Sequence, residues 1–152
     1  MANTQAMATS FKGELLNSYH NFSATNPART VNTADSFKAA LYLASATMNA
    51  ASTAYTATGE VTGTGYTAGG VAITAWNAPT TSGTTGFTTP TASIVYTSVT
   101  LTTAFDAVLI YNSSQSNRAV SVHTFGSQTV TAGTFTLTMP SNAAATALIR
   151  LA

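Results

Sequence analysis

The chain has 152 residues, enough for one domain with a hydrophobic core, and 45% of them are hydrophobic. Only 6% are charged, the net charge is +1 and cysteine is absent, which excludes a disulfide framework or a thiolate metal site and argues against intrinsic disorder. Lys and Arg form no cluster and no apolar run approaches the about 20 residues of a membrane span, so we expect no nucleic acid and no membrane as partner.

The N-terminal 35 residues are predicted to form a short helix or an extended arm. Apolar side chains fall near helical spacing at Phe11, Leu15, Leu16 and Tyr19. Ser10 precedes them and is a candidate N-cap. Residues 23–35 are polar and include Pro27, which predicts a surface loop or an arm that reaches a neighbouring subunit.

From residue 36 onward the sequence predicts strands, because apolar and polar residues alternate with a period of two or form β-branched runs. The predicted strands are residues 37–43, 71–74, 93–102, 107–111, 119–125, 134–139 and 147–151. Alanine is abundant after residue 37, so a helix over residues 37–51 is the alternative for the first strand.

Stretches rich in glycine, proline and small polar residues separate these strands and predict turns. They are residues 63–70, 80–90, 112–117, 126–128, 132–133 and 140–142. Short strands at this spacing are typical of a sandwich or barrel. We therefore predict an all-β, single-domain β-sandwich or jelly-roll-like barrel over residues 36–152, preceded by the arm or helix of residues 1–35.

One segment matches a cofactor-binding motif by its letters alone. Residues 63–68 fit G-x-G-x-x-A, but a strand-like segment follows where the dinucleotide fold needs a helix. Residues 80–90 contain no acid to bind the ribose. We interpret the segment as a bent, glycine-rich loop and predict no cofactor.

Catalytic and metal-binding residues are scarce. His20 is near Glu14 in sequence and His123 is near Asp106, but neither pair has metal-ligand spacing. The motif G-x-S-x-G is absent, and the four acids are too widely spread for two-carboxylate chemistry. We predict no catalytic, cofactor-binding or metal-binding residues and no enzymatic activity, with Asp106 as a structural acid. A metal site shared at a symmetry axis remains an alternative.

The aromatic side chains have two interpretations. Trp76 and Phe87 flank the loop of residues 79–86 and could form a platform that stacks on sugars, as in a carbohydrate-binding module. Few polar residues accompany them, which favours packing inside the protein or between subunits.

Three segments carry a family resemblance. They are residues 55–71, with Gly-Glu-Val and Gly-Tyr-Thr-Ala-Gly-Gly, residues 105–112, with Phe-Asp-Ala-Val-Leu-Ile-Tyr-Asn, and residues 133–139, with Gly-Thr-Phe-Thr-Leu-Thr-Met. In this order they resemble small virion proteins of tailed bacteriophages. The resemblance covers residues 36–152.

The resemblance implies a structural role in the virion. Small β-rich phage proteins of this size serve as capsid decoration (cement) proteins or as neck and tail components. We expect the chain to bind the major capsid protein on the capsid surface and to form a homodimer or homotrimer. The low charge fits this role, because short uncharged side chains cost little to bury.

Overall fold

The computed structural model describes residues 2–16, 19–23 and 33–152. Within them lie one helix, α1 (Thr9–Leu16), and eight strands: β1 (Ala6–Met7), β2 (Phe37–Leu43), β3 (Val71–Ile73), β4 (Thr80–Ser82), β5 (Thr85–Thr88), β6 (Ile94–Asn112), β7 (Arg118–Leu137) and β8 (Ile149–Leu151). The strands form two antiparallel sheets, one ordered β1-β7-β6-β2-β3 and the other β4-β5-β8. The all-β class is confirmed, whereas the jelly-roll connectivity and the division at residue 35 stay predictions.

The predicted N-terminal helix is present, but its predicted cap is wrong. Because α1 begins at Thr9, Ser10 lies inside the first turn, and its hydroxyl is buried with no hydrogen-bond partner among the described residues. Phe11 is fully buried and its ring packs 4.7 Å from that of His20. Pro27 and the rest of residues 24–32 lie outside the described residues.

Strand β2 decides between the two interpretations of residues 37–51. It pairs with β6 on one side and β3 on the other, and the chain turns after Leu43. Ala39, Ala40 and Leu41 are fully buried. The helix alternative is therefore wrong, because pairing and burial on both faces of a central strand outweigh the helix propensity of alanine.

Strands β6 and β7 form one long hairpin, with 19 and 20 residues. The predicted turns at residues 126–128 and 132–133 are wrong, because β7 runs through both. The pairing register shifts near these positions, and Ala132 has a φ of 46°. A bulge accommodates extra residues without reversing the chain, so these small residues bend the ladder instead of ending it. The predicted turn at residues 80–90 likewise contains strands β4 and β5.

Alternation of side chains at the end of β7 and in the two residues after it agrees with the sequence. Thr134, Thr136 and Thr138 are exposed, whereas Phe135, Leu137 and Met139 pack partly buried against the core. The inner face of the hairpin carries an aromatic cluster in which the Phe135 ring lies 5.0 Å from Phe105 and 5.4 Å from Phe125.

Candidate functional site

All four side-chain carboxylates of the chain are hydrogen-bonded within it. Glu14, 7% exposed, places Oε2 at 2.7 Å from His20 Nε2 and accepts a hydrogen bond of 2.6 Å from Arg118 Nη1 at Oε1. The Arg118 guanidinium also lies 4.3 Å from the ring centroid of Tyr19. The proximity of Glu14 and His20 was visible in the sequence, but their partner on β7 was not.

Asn112 connects this group to Asp35. Its side-chain nitrogen donates to Oδ2 of Asp35 over 2.7 Å and lies 3.1 Å from Nδ1 of His20. This arrangement makes Nδ1 of His20 the acceptor and Nε2 the donor to Glu14. The backbone N–H of Asn21 also donates to Asp35 Oδ2. The polar network therefore fastens the N-terminal segment to the end of the β6–β7 hairpin.

Asp106 has the structural role that the sequence predicted. Its Oδ1 accepts a hydrogen bond of 2.6 Å from the side-chain nitrogen of Asn3. That nitrogen also donates to the carbonyl of Leu43, and Asn3 Oδ1 accepts from the N–H of Met48. Asp106 therefore holds the start of the chain against β2 and β6.

Glu60 lies at the centre of a tyrosine cluster that sequence reasoning missed. Its carboxylate, 6% exposed as a residue, accepts hydrogen bonds from the hydroxyls of Tyr55 and Tyr66 and from the N–H of Gly69, at 2.6 to 2.7 Å. Burial, and then the hydrogen bond to Glu60, raise the pKa of Tyr55 to about 12, and the same two causes raise the pKa of Tyr66. The segment of residues 55–71 is thus anchored through a buried carboxylate.

A serine and a histidine meet on β7. Ser121 Oγ lies 2.9 Å from Nε2 of His123, and burial lowers the pKa of His123 to about 4. A hydroxyl beside a neutral imidazole is the arrangement of a nucleophile and its general base, which a third group normally orients. However, Ser121 is only 2% exposed, and Asp106, the nearest acid in sequence, bonds Asn3 instead. Among the described residues no group of three or more potential metal ligands occurs.

The two candidate sugar-stacking residues pack into the protein. The Trp76 ring meets Phe22 edge-on at 4.8 Å and Phe37 at 5.4 Å, and Phe87 is 9% exposed. Phe87 lines an apolar cavity of about 410 Å³ beside α1. His20 also lines this cavity, but both its ring nitrogens already have partners. The lining is mainly apolar, and its polar side chains Asn21 and Thr88 are likewise hydrogen-bonded within the chain.

The open end of the long hairpin carries an uncharged surface. We call residues 94–105 of β6 and 124–137 of β7 the ribbon. The chain has no Asp, Glu, Lys or Arg between Glu60 and Asp106 or between Arg118 and Arg150. Threonines dominate the exposed side chains of the ribbon, at positions 97, 102, 103, 129, 131, 134 and 136. Such a face can be covered without desolvating a charge.

The two edges of the ribbon differ. The loop after Glu60 covers the β6 edge, since the N–H of Thr100 donates to the carbonyl of Thr64 over 2.8 Å. Gly63 and Gly65 approach the carbonyls of Thr100 and Ser98 so closely that a Cβ on either glycine would clash. On β7, β1 pairs only with Ser121 and Val122. After Val122, within the part of the chain that the structure describes, β7 pairs with β6 alone.

Comparison of the chain with family models, with curated proteins and with solved structures finds no match. Among the described residues, no helix has the length and apolar character that crossing a bilayer requires.

Proposed function

We propose that this chain is a structural protein of a tailed-bacteriophage virion, a capsid decoration protein that binds across subunits of the major capsid protein. The uncharged, threonine-rich outer face of the ribbon carries the proposal. The resemblance of residues 36–152 to small phage virion proteins supplies the identity of the assembly. In this proposal the chain acts without catalysis, at the capsid surface.

The physical argument starts from what the surface lacks. The four side-chain carboxylates accept hydrogen bonds within the chain, from Arg118, Asn112, Tyr66 and Asn3, among others. Burying the ribbon against a neighbour therefore separates few charges from water, and threonine loses little side-chain entropy on contact. A modest contact repeated over many copies on a shell gives a large total stabilisation.

A capsid-binding experiment tests the proposal. Capsids from a phage strain lacking this chain are mixed with the purified protein and sedimented. We expect stoichiometric binding of the natural chain and at least about tenfold weaker binding of the double variant T97K/T102K, whose lysines would have to be desolvated. The matched control T53K/T81K adds the same charge at exposed threonines outside the ribbon and should bind normally.

Two outcomes would overturn the proposal. If the natural chain does not sediment with capsids, decoration is wrong, and the neck, the tail or a host-surface carbohydrate becomes the better candidate partner. If T97K/T102K binds as well as the natural chain, the ribbon is not the contact surface.

A further inference from the structure

We infer that the open edge of β7 pairs, antiparallel and about a two-fold axis, with the same edge of a second copy of this chain. This inference rests on the proposed function, which expects a homodimer, and it names the surface through which the two copies pair. It begins from the unequal edges of the ribbon, one covered by the glycine-rich loop and the other open.

The open edge lacks the residues that normally prevent strand pairing. Natural proteins protect such edges with charged side chains, prolines or bulges. β7 contains no proline, and after Arg118 it contains no Asp, Glu, Lys or Arg. Register shifts do interrupt its pairing with β6 between Thr124 and Phe135. Phe135, Thr136 and Leu137, in contrast, pair with Tyr96, Val95 and Ile94 in regular register. With the two residues before them they form the stretch Gly133–Leu137, the part of the edge available to a partner.

This stretch is complementary to itself. If the two-fold axis passes Phe135, Gly133 of one copy lies opposite Leu137 of the other, and Thr134 lies opposite Thr136. Residues directly opposite in an antiparallel pair share a face, so the leucine falls where glycine has no side chain and the threonines meet on the outer face. An uncharged strand also meets no like-charge repulsion from its own copy, which favours a second copy over a charged partner.

The inner face adds an apolar contact. Phe135 is partly buried, and its ring packs against Phe105 and Phe125. Pairing at Phe135 places the two Phe135 rings side by side and extends the aromatic cluster across the axis. Five paired residues supply about five hydrogen bonds, half of a typical interface. We therefore expect a dissociation constant on the order of tens of micromolar, so that pairing is complete where copies are concentrated.

Cysteine cross-linking tests the register directly, because the natural chain has no cysteine. The single variants T134C and T136C are mixed and oxidised. We expect the mixture to give a disulfide-linked dimer much faster than either variant alone. T134C mixed with T97C, an exposed position on β6, is the control and should cross-link no faster than random collision. Equal rates in all mixtures would contradict the inference.

Sedimentation equilibrium of the uncross-linked protein gives a second, independent measurement. We expect T134K/T136K to weaken dimerisation at least tenfold, because lysines from the two copies would face each other. The control T97K/T102K should dimerise normally. A natural chain that stays monomeric at about 0.5 mM, well above the expected dissociation constant, overturns the inference. If the chain is monomeric but still binds capsids, the inference is wrong and the proposed function stands. If the chain dimerises but does not bind capsids, only the proposed function is wrong.

Discussion

The hydroxyl of Tyr66 donates a hydrogen bond of 2.7 Å to Oε1 of Glu60 and accepts one of 3.0 Å from the N–H of Leu41 on β2. The Tyr66 ring also stacks at 6.0 Å from that of Tyr96 on β6. One side chain thus joins the glycine-rich loop to two strands of the larger sheet. This loop covers the β6 edge of the ribbon, so the Glu60 cluster anchors the segment that covers this edge.

Replacing the buried carboxylate should destabilise the protein. Glu60→Gln removes the charge that three donors share, and we expect the free energy of unfolding to fall by about 2 kcal/mol. Asp106→Asn is the matched control, since Asp106 is only partly buried and its carboxylate accepts from one side chain, so we expect a loss below about 1 kcal/mol. Urea unfolding measures both values. Equal losses would show that Glu60 contributes no more to stability than Asp106.

Alkaline pH should destabilise the fold through the same cluster. Burial and the bond to Glu60 raise the pKa of Tyr55 to about 12, whereas tyrosine in an unfolded chain ionises near pH 10. The folded state therefore holds protons that the unfolded state has lost. The contribution of Tyr55 to stability is complete below about pH 10 and disappears as pH rises towards 12.

Thermal unfolding between about pH 8 and pH 11.5 checks this prediction across the unfolded-state pKa. We expect the melting temperature to fall steadily above about pH 10. Tyr55→Phe removes the ionisable hydroxyl and should reduce the alkaline decrease, although it lowers stability at neutral pH. A melting temperature that is constant over this range would contradict the role given to Tyr55.

The close approach of the loop to β6 gives a third prediction. Gly63→Ala places a methyl group against the backbone carbonyl of Thr100, which must move, and we expect a loss of about 1 to 3 kcal/mol. Gly126→Ala is the control, because no atom lies within contact distance of a Cβ there. Chemical unfolding compares them. If Gly63→Ala is as stable as Gly126→Ala, the loop does not press on this strand.

A double-mutant cycle tests the attachment of the N-terminal segment. Glu14 and Arg118 interact at 2.6 Å between α1 and β7, and Arg118 has 35% of its side chain exposed. We expect Glu14→Gln and Arg118→Met to show a coupling free energy of about 1 kcal/mol at low salt. Their effects should be measured singly and together by urea unfolding. Additive effects would show that the ion pair does not fasten the segment.

Local pattern predicted those parts of the fold that local chemistry determines. The alternation of Thr134, Phe135 and Thr136 follows from one exposed and one packed face, which a period of two reports directly. The prediction of a turn at residues 126–128 was wrong because Gly126 and its polar neighbours suit a turn and a bulge equally well. Only the continued pairing with β6 distinguishes the two.

Long-range contacts explain what sequence reasoning missed in the candidate site. Glu14 and His20 are six residues apart and were paired by inspection, but Arg118 is 104 residues from Glu14. The open edge of β7 was also missed, because the predicted turns divided the strand that forms it. Whether an edge is covered depends on where another segment of the chain lies, and local sequence does not report that position.

The copy number of the chain in purified virions, measured by quantitative mass spectrometry against the major capsid protein, tests the proposed function most directly. The proposal predicts an abundance close to that of the major capsid protein. About a dozen copies, the number expected for a ring, would place the chain in the neck or tail. Absence from the particle would contradict a structural role in the virion.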